Sequence, residues 1–309
     1  MLVLELLAAA PLVVAVSLLY DGIDRKVRAR MHGRVGPPFV QPFYDLVKLF
    51  SKDRVVPRAS ARLIYVASPL LSVALAVTGG SLLLAGLVGS LQVPGDVILI
   101  FALLTASSLL LMVGGASSGN PYAAVSLTRG ISVLFSYKMP MMISAITASA
   151  SGVPLLSIAG TVELQRKTGS LAFSSISGAL AFTSFFLCMP SEGEVTPFDV
   201  TTAETEVVYG FMIEYGGPYL ALVKLAKSVS RFTAALLASS LFLYTSLGSR
   251  PIELATCILE AVMLALVSVT ALGTFMARVK VRQVIGFYWR LPVVLAFGAF
   301  AMFLLGRFW

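Results

Sequence analysis

Leu63–Val88 reads LIYVASPLLSVALAVTGGSLLLAGLV, and this uncharged stretch decides the fold class. A helix needs roughly 20 apolar residues to cross the hydrocarbon core of a bilayer. Lipid offers no partners to backbone N–H and C=O groups, so a spanning segment must be a helix or part of a closed barrel. Barrel strands are only about 9–11 residues long and alternate in polarity, which leaves the helix. Ile252–Ala277, IELATCILEAVMLALVSVTALGTFMA, is a second such run, interrupted by two carboxylates, Glu253 and Glu260.

Working outward from these two runs, the sequence predicts spans over 2–20, 63–88, 95–114, 131–150, 171–190, 219–247, 252–277 and 290–308. Gly and Pro punctuate most of the joins, as at Val93-Pro94-Gly95 and Gly119-Asn120-Pro121. The expected class is all-α, a polytopic membrane protein of about eight transmembrane helices with amphipathic cytoplasmic loops. It forms one integral membrane domain over residues 1–309, placed in the plasma membrane. Composition agrees, since 58% of the residues are hydrophobic and 12% charged, against about a quarter charged in soluble domains. The first run follows Met1 without a basic lead and precedes a basic loop, so it reads as a span rather than a cleaved signal.

The charges orient these spans. Placing the loop after span one in the cytoplasm puts 15 basic residues inside and 4 outside, the asymmetry expected of a membrane protein. The net charge of +8 is therefore mainly topology, and no nucleic acid is implied. Two cytoplasmic loops stand out as docking loops, 21–62 and 191–218. In the first, Phe43, Val47 and Phe50 recur at helical spacing, which predicts a short amphipathic helix at the interface. The second holds Glu192, Glu194, Asp199, Glu204, Glu206 and Glu214 with no Lys or Arg. The two are expected to form one docking surface, carried by Arg25, Arg34, Asp45, Lys48, Asp199 and Glu204. Arg25 and Arg34 are expected to pair with the Asp199–Glu214 cluster or with a peripheral partner.

Charges within spans are costly, about 2.5–3.5 kcal/mol each on insertion scales, and default to functional or paired roles. Lys138, Lys224, Lys227, Arg231 and Glu260 are such residues, and Lys224, Lys227 and Arg231 share one face of span six. They are expected to line an ion path with Glu206 and Glu214 at its cytoplasmic mouth. The competing reading is that the basic ones snorkel or neutralise the acidic loop. Glu253 reads as interfacial and His32 as a surface residue. With Cys188 and Cys257 the only thiols and His32 the only imidazole, the chain lacks the roughly four cysteines a cluster takes. No redox cofactor or metal is expected in it, and no catalytic residue.

Three motif groups resemble subunit 1 of respiratory complex I. The first is Asp24-Arg25-Lys26, Arg30-Met31 and Arg34-Val35-Gly36-Pro37-Pro38. The acidic loop supplies Pro197-Phe198-Asp199, Ala203-Glu204-Thr205-Glu206, Gly210 and Glu214-Tyr215-Gly216-Gly217, and a basic patch runs over Arg278–Gln283. Gln41-Pro42-Phe43-Tyr44-Asp45-Leu46-Val47-Lys48-Leu49 looks closer to the membrane-bound, ferredoxin-linked hydrogenase branch. The resemblance implies a subunit that docks a peripheral arm of iron–sulfur and hydrogenase-like subunits, often with a nickel–iron centre. It would couple electron transfer to proton or Na+ translocation beside antiporter-like membrane subunits. The chain departs from the family pattern in sign. Ser136-Tyr137-Lys138-Met139-Pro140 stands where the family carries a Glu-containing motif, and Lys224 and Lys227 where it carries a glutamate. Alternatives are a quinone-site subunit of a complex I-type dehydrogenase, the same subunit in a sulfur-reducing relative, and an independent secondary transporter. The last would normally show an inverted repeat, and none is visible.

Overall fold

The computed structural model describes residues 2–89, 93–150, 156–169, 171–246 and 248–307. Among these, all regular structure is helical. In chain order the helices are α1 (Leu2–Met31), α2 (Gln41–Phe50), α3 (Arg62–Val88), α4 (Asp96–Ala116), α5 (Pro121–Ala150), α6 (Ile158–Thr168), α7 (Ile176–Glu192), α8 (Glu204–Val207), α9 (Gly217–Ala238), α10 (Arg250–Ala265), α11 (Leu272–Phe275), α12 (Val281–Arg290) and α13 (Pro292–Arg307). A π-helical turn at Ser239–Leu243 ends α9, and another at Leu266–Ala271 joins α10 to α11. Six of the helical segments are long and apolar enough to cross a bilayer: 6–31, 62–88, 96–116, 121–150, 250–275 and 281–306. The other two expected spans fall on α7, whose 17 residues rise about 26 Å, and on α9, which carries three basic residues.

Two boundaries differ from the sequence reading. α1 does not stop at residue 20 but continues to Met31, so the first part of the expected loop 21–62 is helix. Falling hydropathy marks where a helix leaves lipid, not where its backbone ladder ends. Arg28 bridges back to Asp24 at 3.1 Å across one turn and supports the extension. The join between spans four and five contains α6, which is too short and polar to span. The Ser157 hydroxyl caps its start by accepting from the Gly160 N–H at 3.3 Å, and Gly169 ends it in a left-handed conformation.

Small and hydroxylated residues set the bundle's closeness. A Cβ on Gly80 of α3 would come within 2.7 Å of Val13 on α1 and 2.9 Å of Thr233 on α9, so three helices meet there at backbone distance. Ser72 and Ser107 join α3 to α4 at 2.8 Å, Ser228 joins α9 to the Ser17 carbonyl at 3.1 Å, and Ser191 meets Tyr288 at 2.6 Å. Such bonds are each worth about 0.6 kcal/mol in membranes. The loops segregate as alternation requires. At the inner end the Ala61 N–H donates to the Ser117 carbonyl and the Val279 N–H to that of Pro197. At the outer end Arg250 donates to the Val88 carbonyl at 2.8 Å, and the Ile158 N–H to Asp96 at 2.9 Å.

Candidate functional site

The centre of the site is the tripeptide Glu192-Gly193-Glu194, where α7 ends inside the bundle. Glu192 is the last residue of α7, not a loop charge, and its side chain is wholly buried. Its carboxylate lies 2.6 Å from Nζ of Lys138 on α5, whose side chain is only 6% exposed. Two residues on, Glu194 lies 2.5 Å from Nζ of Lys227 on α9. Between them the Gly193 carbonyl accepts from Arg231 at 3.3 Å, and the same guanidinium donates to Asp21 of α1 at 3.0 Å. Only glycine fits at 193, because a Cβ there would lie 2.6 Å from Nε of Arg231.

One turn further along α1, Asp24 accepts from Arg28 and from the hydroxyl of Thr270, in the π turn between α10 and α11. Buried charges thus cross the bundle from α5 through α7 and α9 to α1, where the hydroxyl of Thr270 closes the row. Each cation has a carboxylate partner, as burial at this depth demands. Aromatic faces complete the cationic sites. Lys227 lies 4.9 Å from the ring centre of Phe211, and Lys138 6.0 Å from that of Phe101. Asp21, Asp24, Arg25, Lys224, Lys227 and Arg231 line a polar cleft, with Lys224 exposed at its edge.

Not every expected path residue joins this group. Glu260 accepts from Thr245 at 3.1 Å and from Ser239 at 3.4 Å. Ser239 lies eight residues beyond Arg231, about 12 Å of helix rise. Glu253 is not an open interfacial charge. Its side chain is 2% exposed, bonded to the Tyr244 hydroxyl at 2.7 Å and 3.7 Å from Nε of Arg166.

The docking residues sort differently from expectation. Arg25 pairs with Asp45 at 2.6 Å, within its own segment, rather than with the acidic loop. Arg34 and Lys48 are exposed. The acidic loop takes its cations from other inner segments, Glu206 from Arg129 at 2.6 Å and Asp199 from Arg278 at 3.0 Å. The Arg25 pairing has a geometric cause, since α2 packs beside α1 and sets Asp45 against Arg25. The acidic segment packs against α3, the α4–α5 join and, at one point, the first loop. The Tyr65 hydroxyl donates to the Glu214 carbonyl at 2.7 Å, Asn120 donates to the Glu214 carboxylate at 2.8 Å, and Gly217 abuts the Asp53 carbonyl. Glu204 opens α8, its side chain lying outside the described residues.

Burial opposes ionisation of Asp45, but hydrogen bonds from Arg25 and Gln41 outweigh it and hold the carboxyl below its usual range. For Asp199 burial wins over the Arg278 charge, and the carboxyl is pushed up. A depressed acid stabilises the fold above its unfolded pKa, about 3.9, and loses that contribution as pH falls through the folded value. Seating of α2 is therefore expected to be constant near neutrality and to weaken only below about pH 4. Amide exchange across Gln41–Phe50 should rise on that acidification, and Asp45→Asn should raise it at neutral pH.

Sequence reasoning passed over Glu192, Glu194, Asp21 and Asp24 as site residues. A usable signal existed, since a lysine in mid-span needs a carboxylate, and span ends are where one can reach it.

The sequence pattern described as NADH dehydrogenase matches residues 4–304 of this chain. The chain belongs to the respiratory complex I subunit 1 family. Within the family it is 32% identical over 250 residues to an NADH-quinone oxidoreductase subunit of Thermomicrobium roseum, covering 71% of each chain. It is 31% identical over 246 residues to hydrogenase-4 component C of Escherichia coli, covering 78% of this chain and 76% of that one. A chain of the membrane-bound sulfane sulfur reductase, an archaeal respiratory membrane complex, superposes with a TM-score of 0.87 at 26% identity, covering 97% of this chain and 98% of that one. This family member is thus a multi-pass membrane subunit of the kind found in respiratory and hydrogenase complexes. Among the described residues no group of three or more His, Cys, Asp or Glu is placed to hold a metal ion.

Proposed function

We propose that this subunit docks the peripheral redox arm of an ion pump and couples electron transfer to translocation of protons or Na+. The single observation that carries the reading is the Glu192–Glu194 segment at the foot of α7, which holds Lys138 and Lys227 from two other spans at 2.6 and 2.5 Å. Buried ion pairs of this kind add little net stability over well-packed apolar groups, so a chain of them has a use other than stability. Each pair sets a carboxylate beside an amine, two groups between which a proton can be exchanged along the row. Lys224, exposed in the cleft beside Asp21 and Asp24, is where a proton would enter the row; Arg231, permanently charged, sets the field along it, and Glu260 is the next acceptor, about 12 Å of helix rise further outward. Glu206 and Glu214 sit at the mouth on the docking face. Redox cofactors are assigned to the arm, as iron–sulfur clusters and, in hydrogenase-type arms, a nickel–iron centre. Antiporter-like subunits are the membrane neighbours.

The test is ion pumping by the assembled complex in vesicles. Lys224→Met is expected to abolish pumping while assembly and electron transfer persist, because among the described residues this lysine holds no ion pair whose loss would strand a buried carboxylate. Pumping at the native rate rules out the path. A second reading, an arm that reduces sulfur compounds, is favoured by the end-to-end match to the sulfane sulfur reductase chain. Supplying the purified complex with protons or sulfane sulfur as acceptor separates the two.

A further inference from the structure

Glu260 is a carboxylate, part-way along a membrane-spanning helix, that holds no cation among the described residues. No Lys or Arg of the described chain lies within ion-pairing distance of it, and it is only half-buried. Its depth follows from α10, which starts at Arg250 at the outer end. Ten residues of helix rise about 15 Å, half the thickness of the hydrocarbon core. Thr245 bonds Glu260 and so lies at the same depth, yet it belongs to a non-helical segment. The π turn ends α9 at Leu243, the chain then runs through Tyr244, Thr245 and Ser246, and the last two are exposed.

Lipid is a poor cover for this face. Irregular backbone at membrane depth persists only where protein buries it or water lines it, and a carboxylate there carries the insertion penalty of about 2.5–3.5 kcal/mol. Water is a poor cover too. Leu259, Met263 and Val267 of the same helical segment are each more than half exposed beside Glu260, an apolar surface continuous with the carboxylate.

We infer that this face, Thr245, Ser246 and Glu260 with Leu259 and Met263, is a contact with another membrane-spanning subunit whose helix presents a lysine or arginine to Glu260. Such a helix covers the apolar residues, meets the polar backbone and neutralises the carboxylate at once. Charged pairs across an interface set register and choice of partner more than raw affinity, and Glu260 would fix the height at which the two subunits meet. The inference rests on the proposed place of this chain beside other membrane subunits, but not on Glu260 conducting ions.

The experiment places a photoreactive benzophenone side chain at Leu259 in the intact complex, which is purified and irradiated. The expected product joins Leu259 to one polytopic subunit of that complex, at a helix carrying Lys or Arg within a turn of the adduct. Glu260→Lys should then cut the yield of this adduct, and reversing the partner's basic residue to glutamate in the same complex should restore it. Lipid adducts alone, an adduct on a helix without a basic residue, or a yield indifferent to Glu260→Lys overturns the inference. If Lys224→Met pumps normally while the Leu259 adduct forms as described, the ion-path reading falls and this contact stands.

Discussion

Lys138→Met is expected to destabilise the protein by about 3–5 kcal/mol, the cost of stranding a buried charge by removing one member of its pair. Glu192 is the charge left behind, wholly buried and held at 2.6 Å by Lys138. The measurement is thermal retention of the complex in detergent, with Lys138→Met against the native chain. The double variant Lys138→Met/Glu192→Gln tests what the pair is for. Replacing both members by neutral groups of similar volume is often neutral or stabilising, so the double variant should recover most of the lost stability. If the pair belongs to the ion path, the recovered complex transfers electrons without pumping. Native pumping by the double variant would make the pair a structural latch and remove both residues from the path. A single variant as stable as the native protein would mean that the Lys138–Glu192 contact contributes nothing to holding the bundle together.

The same segment explains how the bundle accommodates basic residues within its spans. Lys138 and Lys227 place positive charge within two spans. Here Glu192 and Glu194, two residues apart at the end of α7, each supply a negative charge to one of them. Arg231 is matched in the same way by Asp21. The row is thereby neutralised pair by pair.

How much of this was legible depended on range. Leu63–Val88 alone carried the fold class, because the absence of charge across such a length has one physical meaning in lipid. The amphipathic α2 was equally legible, since Phe43, Val47 and Phe50 mark one face of a helix within ten residues. The extent of α1 was not, because Asp21, Asp24 and Arg28 look like loop charges until Arg231 and Thr270, more than 200 residues away, are brought against α1. The site failed in the same way. Lys138 and Lys227 announced themselves as charges in spans, but their partners sit at a helix end where hydropathy reads loop. The local partner of Arg25 was hidden for a related reason. Opposite charge on two loops does not say which side chains pair, and Arg25 is paired by Asp45 of α2.

Gly210→Ala is expected to detach the acidic loop and with it the peripheral arm. Gly210 has φ of +54°, and a Cβ there would lie 1.9 Å from the Thr201 carbonyl and 2.5 Å from the Ser126 hydroxyl. The left-handed conformation alone costs a non-glycine residue about 1–2 kcal/mol, and the clash cannot relax because it is with backbone. The displaced group is the one that anchors the loop, since Ser126 on α5 donates to that same carbonyl at 2.6 Å. Losing this seat moves the Asp199 and Glu206 carboxylates away from Arg278 and Arg129 and breaks up the surface they form. Purified Gly210→Ala complex should retain its membrane subunits and lose most of its arm subunits by quantitative mass spectrometry. Unchanged hydrogen exchange in α3 and α4 would show that the bundle itself is intact. Glu206→Gln is the control, since it removes one half-exposed pair with Arg129 worth about 0–1 kcal/mol and should leave the arm attached. An arm present at native stoichiometry on Gly210→Ala would mean that the acidic loop is not the docking surface.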